Sequence, residues 1–465
     1  MSKPVTLGEL QESGYQVLPI KEELRKNLIE KLRKREGLFP GVIGFDETVI
    51  PQIENAVLSG HDMIFLGERG QAKSRIIRSL INFLDPEIPV IKGCEVNDNP
   101  YRPICRSCQI MVIELGNRTE IDWIPREERY GEKLATPDVS IADLIGEVDP
   151  IKVAEGKYLS NELTIHFGLI PRTNRGIFAI NELPDLAEKV QVGLFNIMEE
   201  RDIQIKGYRV RLPLDILIVA SANPEDYTSR GRIITPLKDR YYSQIKTHYP
   251  RVSEVEIEIM DQERRRTSQE GYTVRIPQFM KEIIAEITLM ARRSSQINQR
   301  SGVSVRMSIS NYECLVSSAE KRAILLGEEE AVPRISDLSS IFASSTGKIE
   351  LEYAGEEKGE AVVIEKLIKR GVREIFDKYF LTDSLQDVVD VFNQGGRMEV
   401  SEAMPSREYL DIFREIEGLK ARMMELGITD SPAMLASAIE FILEGLHLHN
   451  LLNKSELGGK AIYRK

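Results

Sequence analysis

One tryptophan, four cysteines and five histidines are all that 465 residues contain of the side chains that most often build cross-links and metal cages. Four cysteines in a chain this long exclude a disulfide scaffold. The histidines are scattered and form no histidine-rich cluster. No apolar run is long enough to span a bilayer, which excludes a membrane-spanning helix of the usual kind. The opening MSKPVTLGELQESG lacks the basic-then-apolar pattern of a secretory signal, so the expected location is the cytoplasm. Internal repeats and low-complexity tracts are missing as well. Net positive charge is also lacking: the formal charge is −11 and the pI about 5.3. An acidic surface repels phosphate backbones. With no basic pore loop and no helix-turn-helix in the sequence, direct nucleic-acid binding is not expected.

What is present reads as an ordinary globular protein, 42% hydrophobic and 29% charged. At roughly 150 residues per domain the length suits about three domains. Residues 1–37, with KEELRKNLIEKLRKREG, are charged and helix-prone and read as an N-terminal helical arm. A short apolar run, MIFLG, then leads through a polar loop into KSRIIRSLINFL, whose apolar residues recur at helical spacing. Strand, loop and helix in that order make one unit of a parallel α/β sheet. Further apolar strands are expected at IPVIKG, GIFAI and DILIVASAN, giving a doubly wound αβα domain over 38–250. Beyond Tyr249 the pattern turns amphipathic and helical. A helical domain over 251–348 and a helical C-terminal extension over 349–465 are expected, with soft joints at GYTVRIP and FNQGGRMEVSEAMPS.

The loop after MIFL is Gly67-Glu68-Arg69-Gly70-Gln71-Ala72-Lys73-Ser74. A phosphate cradle needs small residues whose N–H groups turn inward, a lysine for the β- and γ-phosphates, and a hydroxyl for Mg²⁺ at a helix N-terminus. All are present, except that Ala72 stands where a final glycine is usual. A methyl group is sterically mild there if φ is negative. The bland alternative is a chance glycine-rich turn, which the ordered Lys-Ser and helix disfavour.

GIFAINELPDL raises a sharper question. A buried strand delivers Asn181 and Glu182 to its end, where ATP-hydrolysing machines carry Asp then Glu. Asn181 keeps an oxygen for a metal-bound water but loses the charge, so Mg²⁺ binding is expected to weaken. Glu182, which would position and polarise the attacking water, is intact. The alternative is that the pair only caps the following helix. A second buried strand, DILIVASANPEDY, ends in Asn223, able to bond a γ-phosphate or the attacking water. PLKDRYY places Arg240 behind a short helix, and GVSVRMSISNYE sets Arg306 at a helix start. Taken singly, these would be a turn residue and two solvated charges. As an ordered set they read as a nucleotide site.

That order resembles the AAA+ ATPases, and within them the clade of magnesium chelatase subunit I and the MoxR-type ATPases. GERGQAKS is similar to that clade's phosphate loop. The stretch from TPDVSIADLIGEVDP to GIFAINELPDL is similar to its helix-two insertion running into the Mg²⁺-binding strand. MEERDIQIKGYRVRLPLDILIVASANPEDY resembles its pre-sensor hairpin and sensor-1 asparagine, and PLKDRY its arginine-finger box. The likeness covers about residues 38–345. It implies an AAA+ domain with a helical lid, ATP and Mg²⁺ as cofactors, and ATP hydrolysis. It assigns Lys73 and Ser74 to phosphate and Mg²⁺, Glu182 as catalytic base, Asn223 as sensor 1, Arg240 as the finger for a neighbouring subunit and Arg306 as sensor 2. It further implies a homo-oligomeric ring, commonly hexameric, and a partner with a von Willebrand factor A domain. Rival readings are the ATPase subunit of a tetrapyrrole metal chelatase and a nucleotide-dependent scaffold with weak hydrolysis, the latter resting on Asn181 alone.

EIPVIKGCEVNDNPYRPICRSCQ brings Cys94, Cys105 and Cys108 into one loop, two of them as Cys-x-x-Cys. That spacing lets both sulfurs face one tetrahedral ion, so structural Zn²⁺ competes here with plain reduced thiols. The fourth ligand is open between Asp98 and the distant His166. Cys314, on an amphipathic stretch, is expected in a core.

Overall fold

The computed structural model describes residues 3–148, 165–200, 212–223, 231–265, 271–299, 301–352, 359–416, 418–428, 431–457 and 460–465. The hairpin expected around Lys206 and Gly207, and much of the helix-two insertion, lie outside the described residues. The chain divides into two compact units, residues 1–248 and 249–465.

Five strands centre the first unit: β1 (Met63–Leu66), β2 (Tyr130–Leu134), β3 (Gly176–Asn181), β4 (Ile216–Ala222) and β5 (Ser243–Lys246). They lie in the order β2-β3-β4-β1-β5, every pairing parallel. Every residue of β3 and β4 is buried, as strands covered on both faces require. Their side chains alternate between two cores. Ile177, Ala179, Leu217 and Val219 face one that includes Ile76 and Ile77 of the helix after the phosphate loop. Phe178, Ile180, Ile218 and Ala220 face the other, with Val190 and Leu194 of the helix after β3. This is the αβα layering the motifs implied.

One strand expectation needs correction. The apolar EIPVI run is not in this sheet. Glu87–Ile91 pairs antiparallel with Ile121–Pro125 as a separate two-stranded ribbon. Pro89 has no N–H to give to a second neighbour, which suits a ribbon better than a sheet interior. The sheet edge is instead the polar YGEKL of β2, whose residues are half-buried or exposed. Residues 1–37, expected as an N-terminal helical arm, carry two helices. Thr6 caps the helix Leu7–Glu12, and Ile20–Lys34 buries Ile20, Leu24 and Leu28 in the unit's core. Within that helix Glu23 meets Arg129 in a buried pair at 2.6 Å. Breaking such a pair by removing one partner costs about 3–5 kcal/mol.

The second unit packs the helices Gln278–Arg293, Val305–Leu326, Glu360–Tyr379 and Pro432–Leu448 around one continuous apolar core. Phe279 stacks on Phe441 with ring centroids 4.5 Å apart, and Phe376 meets Phe441 edge-on at 5.8 Å. Residues from the expected lid and the expected extension therefore share a core. The extension also holds a three-stranded antiparallel sheet of Met398–Ser401, Lys460–Arg464 and Asn453–Leu457, which the helical expectation lacked. Among the described residues no helix is long and apolar enough to cross a membrane.

Candidate nucleotide site

β1 stops at Leu66 and a helix starts at Lys73, so residues 67–72 must turn the chain within six residues. Gly67 lies against Thr247 and Gln71, where a Cβ would collide with both side chains. Thr247, just past β5, donates from Oγ1 to Gln71 Oε1 at 2.6 Å, and Gln71 Nε2 reaches Glu68 at 3.3 Å. The loop is thus fastened to the neighbouring strand by a buried glutamine. Gly70 has φ +75° and Ala72 φ +55°. The sequence reading required a negative φ at Ala72, and that premise fails. Ala72 closes the loop in the left-handed region, where a Cβ crowds the following carbonyl at about 1–2 kcal/mol. Arg69 and Ser74 are exposed and Glu68 half-buried.

Lys73 is only 6% exposed. Its Nζ donates to the carbonyl of Gly67, to that of Glu68 at 2.8 Å, and to Asn223 Oδ1 at 2.6 Å. Asn223, at the end of β4, donates in turn from Nδ2 to Glu182 Oε2 at 2.5 Å. Lysine, amide and carboxylate, from the start of the helix after β1 and from the carboxyl ends of β4 and β3, form one hydrogen-bonded run. A tight loop with Gly70 and Ala72 in the left-handed region and a gathered lysine ammonium fits a nucleotide's phosphates and their Mg²⁺.

Glu182 sits at φ +54° and makes no side-chain capping bond to the turn Leu183–Asp185. Its N–H donates to Ser221 Oγ at 3.3 Å, and Ser221 Oγ donates to Asn181 Oδ1 at 3.2 Å. With Ala72, this makes two non-glycine residues of the site held at positive φ, strain of a kind concentrated at functional positions.

Sequence reasoning missed the other side of Asn181. Its Nδ2 donates to Glu132 Oε1 at 2.5 Å, across from β3 to β2. Glu132 is gripped by Arg78, whose Nε and Nη2 each reach it at 2.8 Å, and by the Tyr130 hydroxyl at 3.1 Å. The Arg78 hydrogen bonds, foremost, hold the Glu132 carboxyl below its ordinary pKa against the opposing effect of burial. Burial and then the Glu132 charge push the Tyr130 phenol up. Arg78 belongs to the same helix as Lys73. So a carboxylate does stand at the sheet's edge beside Asn181, one strand away from where it was sought.

Arg240 ends the short helix Thr235–Arg240. It bonds Glu199 at 2.7 Å and lies 4.7 Å over the Phe195 ring, and the Glu199 bond raises its pKa. Arg306 is in the second unit, exposed in the first turn of Val305–Leu326. Cys94, Asp98, Cys105 and Cys108 form one tight group that does not include His166, which is exposed on Ile165–Phe167. Cys314 is half-buried and outside the apolar core, contrary to the expectation for it.

No family model matches the chain. It is 24% identical over 254 residues to the chloroplastic magnesium-chelatase subunit ChlI of Nicotiana tabacum, covering 52% of this chain and 54% of that one. It is 25% identical over 232 residues to the magnesium-chelatase subunit ChlI of Mesostigma viride, covering 48% and 61% respectively. The chain thus spans between half and two thirds of the length of these curated relatives. A structure of the complex between subunits BchI and BchD of magnesium chelatase aligns with 71% of the chain and 98% of its own, at 18% identity and TM-score 0.37.

Proposed function

Taking the chain as a divergent relative of the magnesium-chelatase I subunits, we propose that it is an ATP-binding and ATP-hydrolysing ring motor that remodels a partner protein. The observation that carries this reading is the run from Lys73 through Asn223 to Glu182 at the ends of three adjacent parallel strands. Ligands of such sheets bind at the carboxyl ends of the strands. ATP with Mg²⁺ supplies the scissile phosphoanhydride and the divalent charge that neutralises it. In this reading Lys73 leaves its loop carbonyls for the β- and γ-phosphates, and Ser74, exposed in the first helical turn, holds the metal with Asn181. Gly67 to Ala72 offer their N–H groups to phosphate oxygens. Glu182, already oriented by Asn223, aligns the attacking water and accepts its proton. Asn223 then senses the γ-phosphate. Arg240 serves the site of the neighbouring subunit in a homo-oligomeric ring, a hexamer, and Arg306 is assigned as sensor 2.

The partner in this reading carries a von Willebrand factor A domain, and the ring works in the cytoplasm. The names of the relatives favour a second reading, the ATPase subunit of a tetrapyrrole metal chelatase. A tetrapyrrole-binding large subunit purified with the chain would select it. A nucleotide-dependent scaffold is the third. Zn²⁺ in the cysteine loop completes the cofactor set. Steady-state ATP turnover by the full chain, beside Lys73→Ala and Glu182→Gln, tests the motor. Lys73→Ala is expected to lose nucleotide binding, and Glu182→Gln to bind but turn over at least about a hundredfold more slowly. A wild type no faster than either variant leaves only the scaffold.

A further inference from the structure

We infer that Cys94, Asp98, Cys105 and Cys108 form a closed, four-ligand zinc site that fastens the start of β3. This rests on the zinc assignment above and sharpens it in two ways, by naming the fourth ligand and by giving the ion a task. One ligand atom from each residue lies within 4.8 Å of the other three. A tetrahedral ion with Zn–S bonds of about 2.3 Å needs sulfurs roughly 3.8 Å apart, so the group has the span of a single ion. An iron–sulfur cluster of the common four-iron type would ask for four thiolates, and the fourth donor here is a carboxylate.

The surrounding backbone is arranged for negative charge. Cys94 Sγ accepts the N–H groups of Val96 and Asp98, each at 3.4 Å, and Cys105 Sγ accepts that of Cys108 at 3.4 Å. The Asp98 carboxylate accepts from Ile104 at 3.1 Å and from Cys105 at 3.0 Å. Five N–H donors therefore converge on three of the four ligands, hydrogen bonds of the kind that orient anionic ligands around a cation. Asp98 is 0% exposed, and among the described residues no lysine or arginine pairs with it. A buried carboxylate against three sulfurs, with no basic side chain beside it, is costly unless a cation occupies the space between them.

The loop is tied directly to the turn that launches β3. Asn97 Nδ2 donates to the carbonyl of Arg172 at 3.0 Å, and Asn174 Nδ2 to that of Val96 at 3.0 Å. Arg175 Nη1 donates to the carbonyls of Pro89 at 2.8 Å and Asn97 at 3.4 Å. Gly176 follows at once, and five residues later β3 delivers Asn181 and Glu182. Closing the metal site thus fixes residues 94–108 as a platform on which the strand carrying the carboxylate starts.

The test uses the full chain, demetallated and then titrated with Co²⁺ and Zn²⁺. Expected are one equivalent of Co²⁺ with thiolate charge-transfer bands and intense tetrahedral d–d bands, and its displacement by one equivalent of Zn²⁺. Asp98→Asn should keep the charge-transfer bands, change the d–d pattern and weaken Zn²⁺ binding at least about tenfold. Cys105→Ser with Cys108→Ser should abolish both. Wild-type protein that takes up no Co²⁺ or Zn²⁺ overturns the zinc assignment itself. Uptake with unchanged affinity and spectrum in Asp98→Asn overturns the fourth ligand while leaving zinc in place. Hydrogen exchange of residues 172–181 should slow on zinc binding, and equal exchange with and without the ion refutes its task. These readouts need no nucleotide and are independent of ATP turnover.

Discussion

Asn181→Asp restores the aspartate that ATP-hydrolysing strands commonly present, and the structure says that this will harm the metal-free protein. The Asn181 amide donates to Glu132 at 2.5 Å. Aspartate replaces a donor with a second carboxylate against the first. Two unit charges about 4 Å apart at an effective dielectric near 20 repel by about 4 kcal/mol. The Arg78 fork on Glu132 and the partial exposure of that residue offset part of this. Losing the amide–carboxylate hydrogen bond adds about 1.5–3 kcal/mol. A net loss of about 2–4 kcal/mol remains, which for a unit of this size lowers Tm by roughly 5–15 °C.

The sign with pH follows. Repulsion raises the folded-state pKa of the carboxyl pair above its unfolded value, so the folded form holds its proton more tightly. The penalty is absent below the unfolded pKa, grows as pH rises through the folded one and is full above it. Thermal unfolding of wild type and variant should therefore differ more at about pH 7.5 than at about pH 5. Millimolar Mg²⁺ should close the gap at the higher pH, because the ion gains a second carboxylate. Exchanging the partners, Asn181→Asp with Glu132→Gln, restores one acid and one amide, and should recover at least half of the lost stability through a coupling of about 1–3 kcal/mol. A single variant as stable as wild type at pH 7.5 without Mg²⁺, or a double variant no better than the single one, refutes the reasoning. Identical Mg²⁺ titrations for wild type and variant would show separately that this strand end does not hold the metal.

Arg240→Ala should reduce ATP turnover by about 10³-fold or more while leaving nucleotide affinity within a few-fold, because a trans-acting arginine contributes to a neighbour's transition state. Its contacts with Glu199 and Phe195 add at most a small stability loss, and a variant that cannot bind nucleotide as a monomer contradicts the placement. Ala72→Gly should relieve about 1–2 kcal/mol of left-handed strain and give back about 0.4–1 kcal/mol through a freer unfolded chain. The net gain, up to about 1.5 kcal/mol, is readable as a raised urea midpoint at unchanged slope, and a lowered midpoint would show that the strain is not there.

The parts of this fold that could be read in advance are those whose burial leaves a continuous apolar record. GIFAI and ILIVASA are wholly buried strands and look it, and the phosphate loop announces itself by residue type and order. EIPVI carries the same record but belongs to a ribbon, since apolar runs do not encode the partner they pair with. The short strands MEVS, NKSEL and KAIYR run over four or five positions and share no apolar pattern, too little to stand out from helical surroundings. The sign of φ at Ala72 is set by how the loop closes on Thr247 and Gln71, a tertiary matter that no residue-type rule reports.

Glu132 was the costliest omission, and the reason is register. An edge strand keeps its polar residues, so YGEKL offers no apolar alternation by which to recognise it. Only when β2 aligns on β3, with Leu134 opposite Asn181 and Glu132 opposite Ala179, does a carboxylate come within reach of the Asn181 amide. Only the helix that starts at Lys73 then brings Arg78 to hold it there. The charge that Asn181 lacks is therefore not lost from the neighbourhood. It is displaced by one strand, clamped by an arginine from the phosphate-loop helix, and coupled to the site through a single amide. A substitution at 181 then has to be read as a change in a pair. The metal-binding consequence of an asparagine at this strand end depends on what Glu132 does when Mg²⁺ arrives, and on whether Arg78 releases it.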